Sequence, residues 1–309
     1  MVTHLLTRIE MQMPKFSKGQ KAIARYIETH YDKAAFMTAS KLGETVGVSE
    51  STVVRFAAEL GYDGYPKLQK AMQEMIRDKL TSVQRIEVTA NRIGDNSVLE
   101  SVLNQDIDKI RRTLEETSHE DFKRAVESIV NAEHIYIFAV RATSALASFL
   151  GYYFELIFGN VRVINTTSKT TTYEQLFRIN ENDVMIGISF PRYSIMAVDA
   201  MNFARDHGAD VIAITDSMVS PLVSAADSIL LARSDMASVV DSLVAPMSMI
   251  NALIVATVLA KREDVTKTFY KLEQVWHEQE IYANRQEEEK DDINSDLEDN
   301  AKENPTDEI

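Results

Sequence analysis

Five short apolar runs constrain this chain more than any other feature. They are H-I-Y-I-F-A-V from His134, V-R-V-I-N from Val161, D-V-M-I-G-I-S from Asp183, D-V-I-A-I-T-D from Asp210 and D-S-I-L-L-A from Asp227. The runs are rich in Val and Ile and lack the alternation of a strand with one wet face, so each is expected to be covered on both faces. Helix-patterned segments separate them, such as Ala142 to Phe158 and Ile195 to His207. Strands of this kind joined by helical crossovers imply a parallel, doubly wound α/β sheet.

The first eighty residues have a different texture. A-I-A-R-Y-I places Ala22, Ile23, Tyr26 and Ile27 on one helical face. Further on, Ala39, Leu42 and Val46 are spaced as one buried helix face requires. Gly47 supplies a stop, Val48 a plug for the corner and Ser49 an N-cap for a second helix. In that helix Val53, Ala57 and Leu60 form the buried stripe, which leaves Glu50, Ser51, Thr52 and Arg55 outward near its start. Two short helices about a glycine-containing turn read as a helix-turn-helix, whose second helix presents its early residues to base edges. Ser49, Glu50, Ser51, Thr52 and Arg55 are therefore the expected DNA-binding residues, with Arg55 long enough for a guanine edge or a phosphate.

The net charge of -14 argues against nucleic acid until it is divided. Residues 287–309 hold eleven acids and two lysines, whereas residues 1–80 hold twelve Lys and Arg against nine Asp and Glu. The basic segment is thus the helix-turn-helix segment, and the acidic tail is expected to be disordered. There is no cysteine, which excludes disulfides and thiolate chemistry. Leu243 to Ala260 runs eighteen residues without a charge but carries Pro246, Ser248, Asn251 and Thr257, and is expected to be a core or interface helix rather than a membrane span. The lack of cysteine makes a reducing cytoplasm the expected location, and no basic, apolar leader opens the sequence. The six histidines show no metal-ligand spacing; no metal, no cofactor and no catalytic residue is expected, and His134 is expected to be structural.

V-S-E-S-T-V-V-R-F-A-A-E-L-G-Y followed by G-Y-P-K-L-Q resembles the DNA-binding domain of the RpiR family of bacterial transcriptional regulators. S-F-P-R-Y-S and V-I-A-I-T-D-S-M-V-S-P-L-V-S-A-A-D resemble that family's sugar isomerase (SIS) domain. The resemblance implies an N-terminal all-α helix-turn-helix domain over 1–79, a linker over 80–105, an α/β SIS domain over 106–284 and the acidic tail over 285–309. It also implies a five-stranded parallel sheet in the flavodoxin-like order 2-1-3-4-5, assembly into homodimers or homotetramers, and response to a phosphorylated sugar. The operator expected for paired domains is an inverted repeat in double-stranded DNA.

With that order the sheet reverses between its first and third strands, where ligands of such folds bind. The loops there carry Arg141, Thr143 and Ser144, and Ser189, Arg192, Tyr193 and Ser194, the expected ligand-binding residues. Lys169 is a candidate third cation and Asp216 a candidate acceptor for a sugar hydroxyl. The loops depart from the SIS pattern: A-V-R-A-T-S stands for G-x-G-x-S, and in S-x-S-G-x-[ST] Pro191 replaces a serine and Arg192 the glycine. A cradle of amides and hydroxyls is exchanged for guanidinium charge, which suits an anion such as a sugar phosphate or a sugar acid. Two alternatives remain: a phosphosugar isomerase using Glu155 and His277, and a regulator whose SIS domain binds no ligand and serves for oligomerisation.

Overall fold

The computed structural model describes residues 5–76, 85–86, 89–90, 93, 97–234 and 240–282. The tail expected over 285–309 and much of the linker expected over 80–105 lie outside the described residues.

The N-terminal part is helical: α1 (Leu5–Gln12), α2 (Lys18–Ala34), α3 (Ala39–Val46), α4 (Glu50–Glu59) and α5 (Tyr65–Ile76). They enclose one core built on Ile23, Ile27, Leu42, Val53, Phe56, Ala57 and Leu68. A reciprocal capping box between Ser17 and Gln20 opens α2. Gly47 ends α3 with φ 74, in the left-handed region where a side chain is strained. Gly43 is needed for a different reason, since a Cβ there would lie 2.7 Å from the Val48 carbonyl oxygen. This close approach lets the Val48 amide donate to the Gly43 carbonyl at 2.8 Å, which folds the corner back onto α3. Val48 is half-buried against the core, as the corner plug requires.

The G-Y-P-K-L-Q motif has a packing role. The Tyr65 hydroxyl and the Gln69 side-chain amide donate to the Met37 carbonyl at 2.7 and 2.8 Å, tying α5 to the α2–α3 turn. Burial of the Tyr65 phenol raises its pKa well above the ordinary value.

After α6 (Val98–Glu116) and α7 (His119–Asn131) comes a parallel sheet of β1 (Ile135–Phe138), β2 (Val161–Ile164), β3 (Val184–Ile188), β4 (Asp210–Thr215) and β5 (Ser228–Leu231). The strand order is β2-β1-β3-β4-β5. Register pairs include Phe138 with Ile164, Phe138 with Gly187, and Ile188 with Ile214. The crossovers supply α8 (Ser144–Phe158), α9 (Lys169–Leu176) and α10 (Ile195–Asp206), and α11 (Val244–Ala260) and α12 (Arg262–Glu278) follow.

Successive strand residues serve opposite layers. Ile135, Ile137, Ile186 and Ile212 face α7, α8 and α11, whereas Tyr136, Phe138, Met185 and Val211 face α9 and α10. That double coverage is why β1, β3 and most of β4 read as unbroken apolar runs. Edge strand β2 departs from the expectation of full cover: Arg162 is exposed and donates to the Gln175 carbonyl at 2.9 Å. An edge strand has one neighbour, and here its outer surface meets water.

The uncharged stretch forms α11, with Met249, Ile250, Leu253 and Ile254 buried against the sheet and Val255 and Leu259 exposed. No single described helix is long and apolar enough to cross a membrane.

Candidate functional site

Two sites follow from this architecture. On α4, Glu50, Ser51 and Arg55 are exposed, Thr52 is half-buried and Val53, Phe56 and Ala57 are buried, so the early outward residues sit where a recognition helix presents them. Ser49 holds the N-cap position, but its hydroxyl bonds the Ser51 and Thr52 hydroxyls at 2.9 Å and caps no backbone N–H. The two hydroxyls that follow compete successfully for it. Arg55 reaches back to the Ser51 carbonyl at 3.3 Å and leaves most of its guanidinium donors to solvent. A Cβ at Gly19 would sit 3.2 Å from Val48 and 3.4 Å from Thr52, so the start of α2, where Lys18 is exposed, lies against the corner and the start of α4. Sequence patterning did not single out Lys18, because the nearness of Gly19 to α4 is a tertiary contact.

The second site lies at the C-terminal ends of β1 and β3, where the strand order reverses. A cavity of about 310 Å³ is lined there by both switch-point loops, Val140 to Thr143 and Ser189 to Ser194, together with Asp241 and Leu243. Its size is at the lower end for small-molecule sites. Arg141 and Arg192 are exposed on it, and among the described residues neither guanidinium has a hydrogen-bond or ion-pair partner. Arg141 holds φ 61, a left-handed backbone that costs a side-chain-bearing residue about 1 kcal/mol or more.

The hydroxyls of the two loops are mostly engaged locally. Thr143 donates to the Val140 carbonyl at 2.8 Å and Ser144 to the Arg141 carbonyl at 2.6 Å. Ser144 stands at the start of α8 and is not among the lining residues. The buried Ser189 hydroxyl accepts from the Ser194 amide at 3.1 Å, closing the β3 loop, and Ser194 takes the N-cap position of α10. Tyr193 donates to buried Asp216 at 2.7 Å, which anchors this loop to the end of β4. Lys169 is held by Asp199 at 3.1 Å, and this hydrogen bond raises its pKa. Glu155 and His277 are both exposed, and neither lines the cavity.

The wall carrying Asp241 comes from outside the strand loops. Asp241 pairs at 2.8 Å with Arg85, whose side chain is only 5% exposed, and Arg85 Nε and Nη2 are buried without a partner among the described residues. The next residue, Ser242, donates to Asp106 of α6 at 2.7 Å, and Asp106 in turn holds buried Lys109 at 3.0 Å.

A larger cavity of about 680 Å³ opens at the opposite, N-terminal ends of the strands. Its rim includes Glu127, Glu133, Glu181, Asp183, Asp210 and Asp227 against Arg124, a charge balance that repels anions. The smaller crevice at the switch point is therefore the candidate for an anionic ligand.

Residues 3–79 match the helix-turn-helix domain of the rpiR family, and residues 128–256 match the SIS domain. An uncharacterized HTH-type transcriptional regulator of Clostridium perfringens is 25% identical over 71% of this chain and 78% of its own length. Another, from Caldanaerobacter subterraneus, is 23% identical over 86% of this chain and 94% of its own. Among solved structures, the sugar isomerase domain of an RpiR transcription factor from Sphaerobacter thermophilus is 27% identical, with a TM-score of 0.55 over 57% of this chain and 98% of that one. The Vibrio vulnificus NanR protein complexed with ManNAc-6P shares the fold, at 22% identity and a TM-score of 0.55 over 91% of this chain and 100% of that one. A helix-turn-helix joined to a doubly wound SIS sheet defines a DNA-binding regulator rather than an enzyme. The chain belongs to the RpiR family of helix-turn-helix regulators with a SIS domain.

Proposed function

We propose that this chain is a cytoplasmic, homodimeric or homotetrameric transcription factor that reads an inverted-repeat operator through α4. A small anionic metabolite at the switch-point crevice, a sugar phosphate or a related sugar acid, sets its operator affinity. The units we assign are a DNA-binding domain over 1–79, a linker over 80–105, a ligand-binding domain over 106–284 and a tail beyond. Ser51 and Arg55 read base edges, with Glu50, Thr52 and Ser49 alongside, while Lys18 neutralises a phosphate. Two such domains meet half-sites about 34 Å apart, or a multiple of that. An exposed stripe on α6, formed by Leu99, Leu103, Ile107, Ile110 and Leu114, supports association of two copies.

The observation that carries the sensing role is the pair of guanidinium groups, Arg141 and Arg192, on one small cavity, neither partnered among the described residues. Two such groups, beside the N-terminus of α10 at Ser194, form an anion site in which the charge is held by long side chains. Thr143, Ser144, Ser189, Tyr193 and Ser194 shape the two loops that aim them. The NanR neighbour was solved with a phosphorylated amino sugar, which supports the same ligand class here.

Occupancy has a route to the DNA-binding domain. The wall residue Asp241 is bonded to Arg85 of the linker, and the next residue, Ser242, to Asp106 on α6, the helix that continues from the linker. A ligand that favours one position of this wall favours one position of the linker. Coupling requires no more than a different affinity for the two arrangements.

A thermal-shift series over hexose 6-phosphates, amino-sugar phosphates and sugar acids tests the reading. A true ligand at a hundredfold excess over Kd stabilises the protein by about 2.7 kcal/mol. Arg192→Ala is expected to remove that shift and leave DNA binding without ligand unchanged. Equal shifts in both proteins contradict the assignment of Arg192, and no shift from any of these anions favours the ligand-free scaffold.

A further inference from the structure

At the end of the sheet opposite the crevice, three side chains from two chain segments meet. Glu133 and His134 immediately precede β1, and Asp183 immediately precedes β3. One ligand atom from each, two carboxylate oxygens and one imidazole nitrogen, lie within 4.8 Å of one another. His134 Nδ1 and Asp183 Oδ1 are 3.0 Å apart.

The backbone beneath them is fixed. The Glu133 amide donates to the Asn182 carbonyl at 2.8 Å, the Val184 amide to the His134 carbonyl at 3.0 Å, and the Asp210 amide to the Asp183 carbonyl at 3.1 Å. Asp183 is 2% exposed, and its Oδ2 accepts from the Asn180 amide and side chain, both at 3.0 Å. Those two bonds orient the carboxylate and turn Oδ1 toward His134, as outer hydrogen bonds do for metal-ligating carboxylates. Glu133 and His134 are exposed on the outer side, so an ion has an entry path.

We propose that Glu133, His134 and Asp183 form a binding site for a divalent transition-metal ion, with Zn²⁺ as the best fit to its donors. One imidazole and two carboxylates are the borderline donor set that Zn²⁺ and its neighbours accept. With bonds of about 2.1 Å, two tetrahedral ligands stand about 3.4 Å apart, so His134 Nδ1 and Asp183 Oδ1, now 3.0 Å apart, need only a small opening to admit the ion. The ion replaces the proton shared between them, and Glu133 closes the third position by a side-chain rotation. The surrounding cavity carries Glu127, Glu181, Asp210 and Asp227, which raise the local cation concentration. Each ligand caps the start of a neighbouring central strand, so the bound ion ties β1 to β3.

The test uses the full chain, treated with chelator, dialysed and titrated with ZnCl2 alone in a calorimeter. The expected result is one ion per chain with micromolar affinity and a raised melting temperature. Glu133→Gln, an exposed change that leaves the fold intact, and His134→Asn, which keeps a donor for Asp183, are each expected to weaken binding at least tenfold. CoCl2 is expected to give visible ligand-field bands that both variants lose. Absence of heat or stabilisation in the unaltered chain overturns the proposal. So does binding of equal affinity in the two variants, which would place the ion on other carboxylates, such as those of residues 287–309.

Discussion

Asp241→Asn is expected to destabilise the crevice wall by about 3 kcal/mol and to free the segment around Arg85. The Arg85 side chain is 5% exposed and Asp241 30% exposed, so the charge left behind is the more buried one. Removing one partner of a buried pair costs about 3–5 kcal/mol, because the other is stranded in a medium that does not solvate it. The low end applies here, since Asp241 already faces water in part. The Arg85 guanidinium has no other hydrogen bond among the described residues to fall back on. The cheapest response is for its guanidinium to swing into solvent and carry its backbone with it. Two measurements read this outcome: the denaturant midpoint falls, and trypsin cleaves after Arg85 at least tenfold faster. Exchanging both partners, Arg85→Met with Asp241→Leu, is expected to restore most of the stability while removing the link between crevice and linker. An unchanged midpoint and cleavage rate in Asp241→Asn would remove the pair from the account of coupling.

Phe56→Ala is expected to cost the helical domain about 3–5 kcal/mol. Phe56 is fully buried on α4 and packs on Phe16 with ring centroids 5.0 Å apart, at the centre of a core that shares no residue with those of the sheet. A helical unit of this size holds on the order of 5 kcal/mol in total. The substitution therefore unfolds the DNA-binding part at or near physiological temperature and leaves the sheet domain standing. Calorimetry is expected to resolve an early transition absent from the unaltered chain, DNA retention to vanish, and ligand-induced stabilisation of the sheet domain to persist. Phe56→Leu, which keeps most of the volume, is expected to cost about 1 kcal/mol and to retain DNA binding. One unshifted transition in Phe56→Ala would contradict the separation of the two cores.

The parts of this molecule written in local pattern were legible in the sequence. Strands covered on both faces leave continuous Val and Ile runs, so the parallel sheet could be read from Ile135, Val184 and Val211 onward. The stop at Gly47, the corner at Val48 and the stripe of Val53, Ala57 and Leu60 lie within fifteen residues, and all take the expected roles. The side chain of Ser49 does not, because two neighbouring hydroxyls intercept it.

Contacts between distant segments were not legible. Arg85 and Asp241 are 156 residues apart, and nothing around either announces the other. His134 and Asp183 are separated by 49 residues, so no local ligand spacing marks them. At the crevice, sequence placed both arginines at the switch point but could not show that Thr143 and Ser144 spend their hydroxyl hydrogens on loop carbonyls.

The central claim is that α4 reads a defined DNA sequence for this regulator. Selection of bound duplexes from a random-sequence pool, run in parallel with the unaltered chain and Arg55→Ala at one stated salt concentration, tests it most directly. The account predicts an enriched inverted repeat with half-sites one or more helical turns apart, and an affinity for it weakened by about 1–3 kcal/mol in Arg55→Ala. No enriched motif, or one bound equally by both proteins, would contradict it.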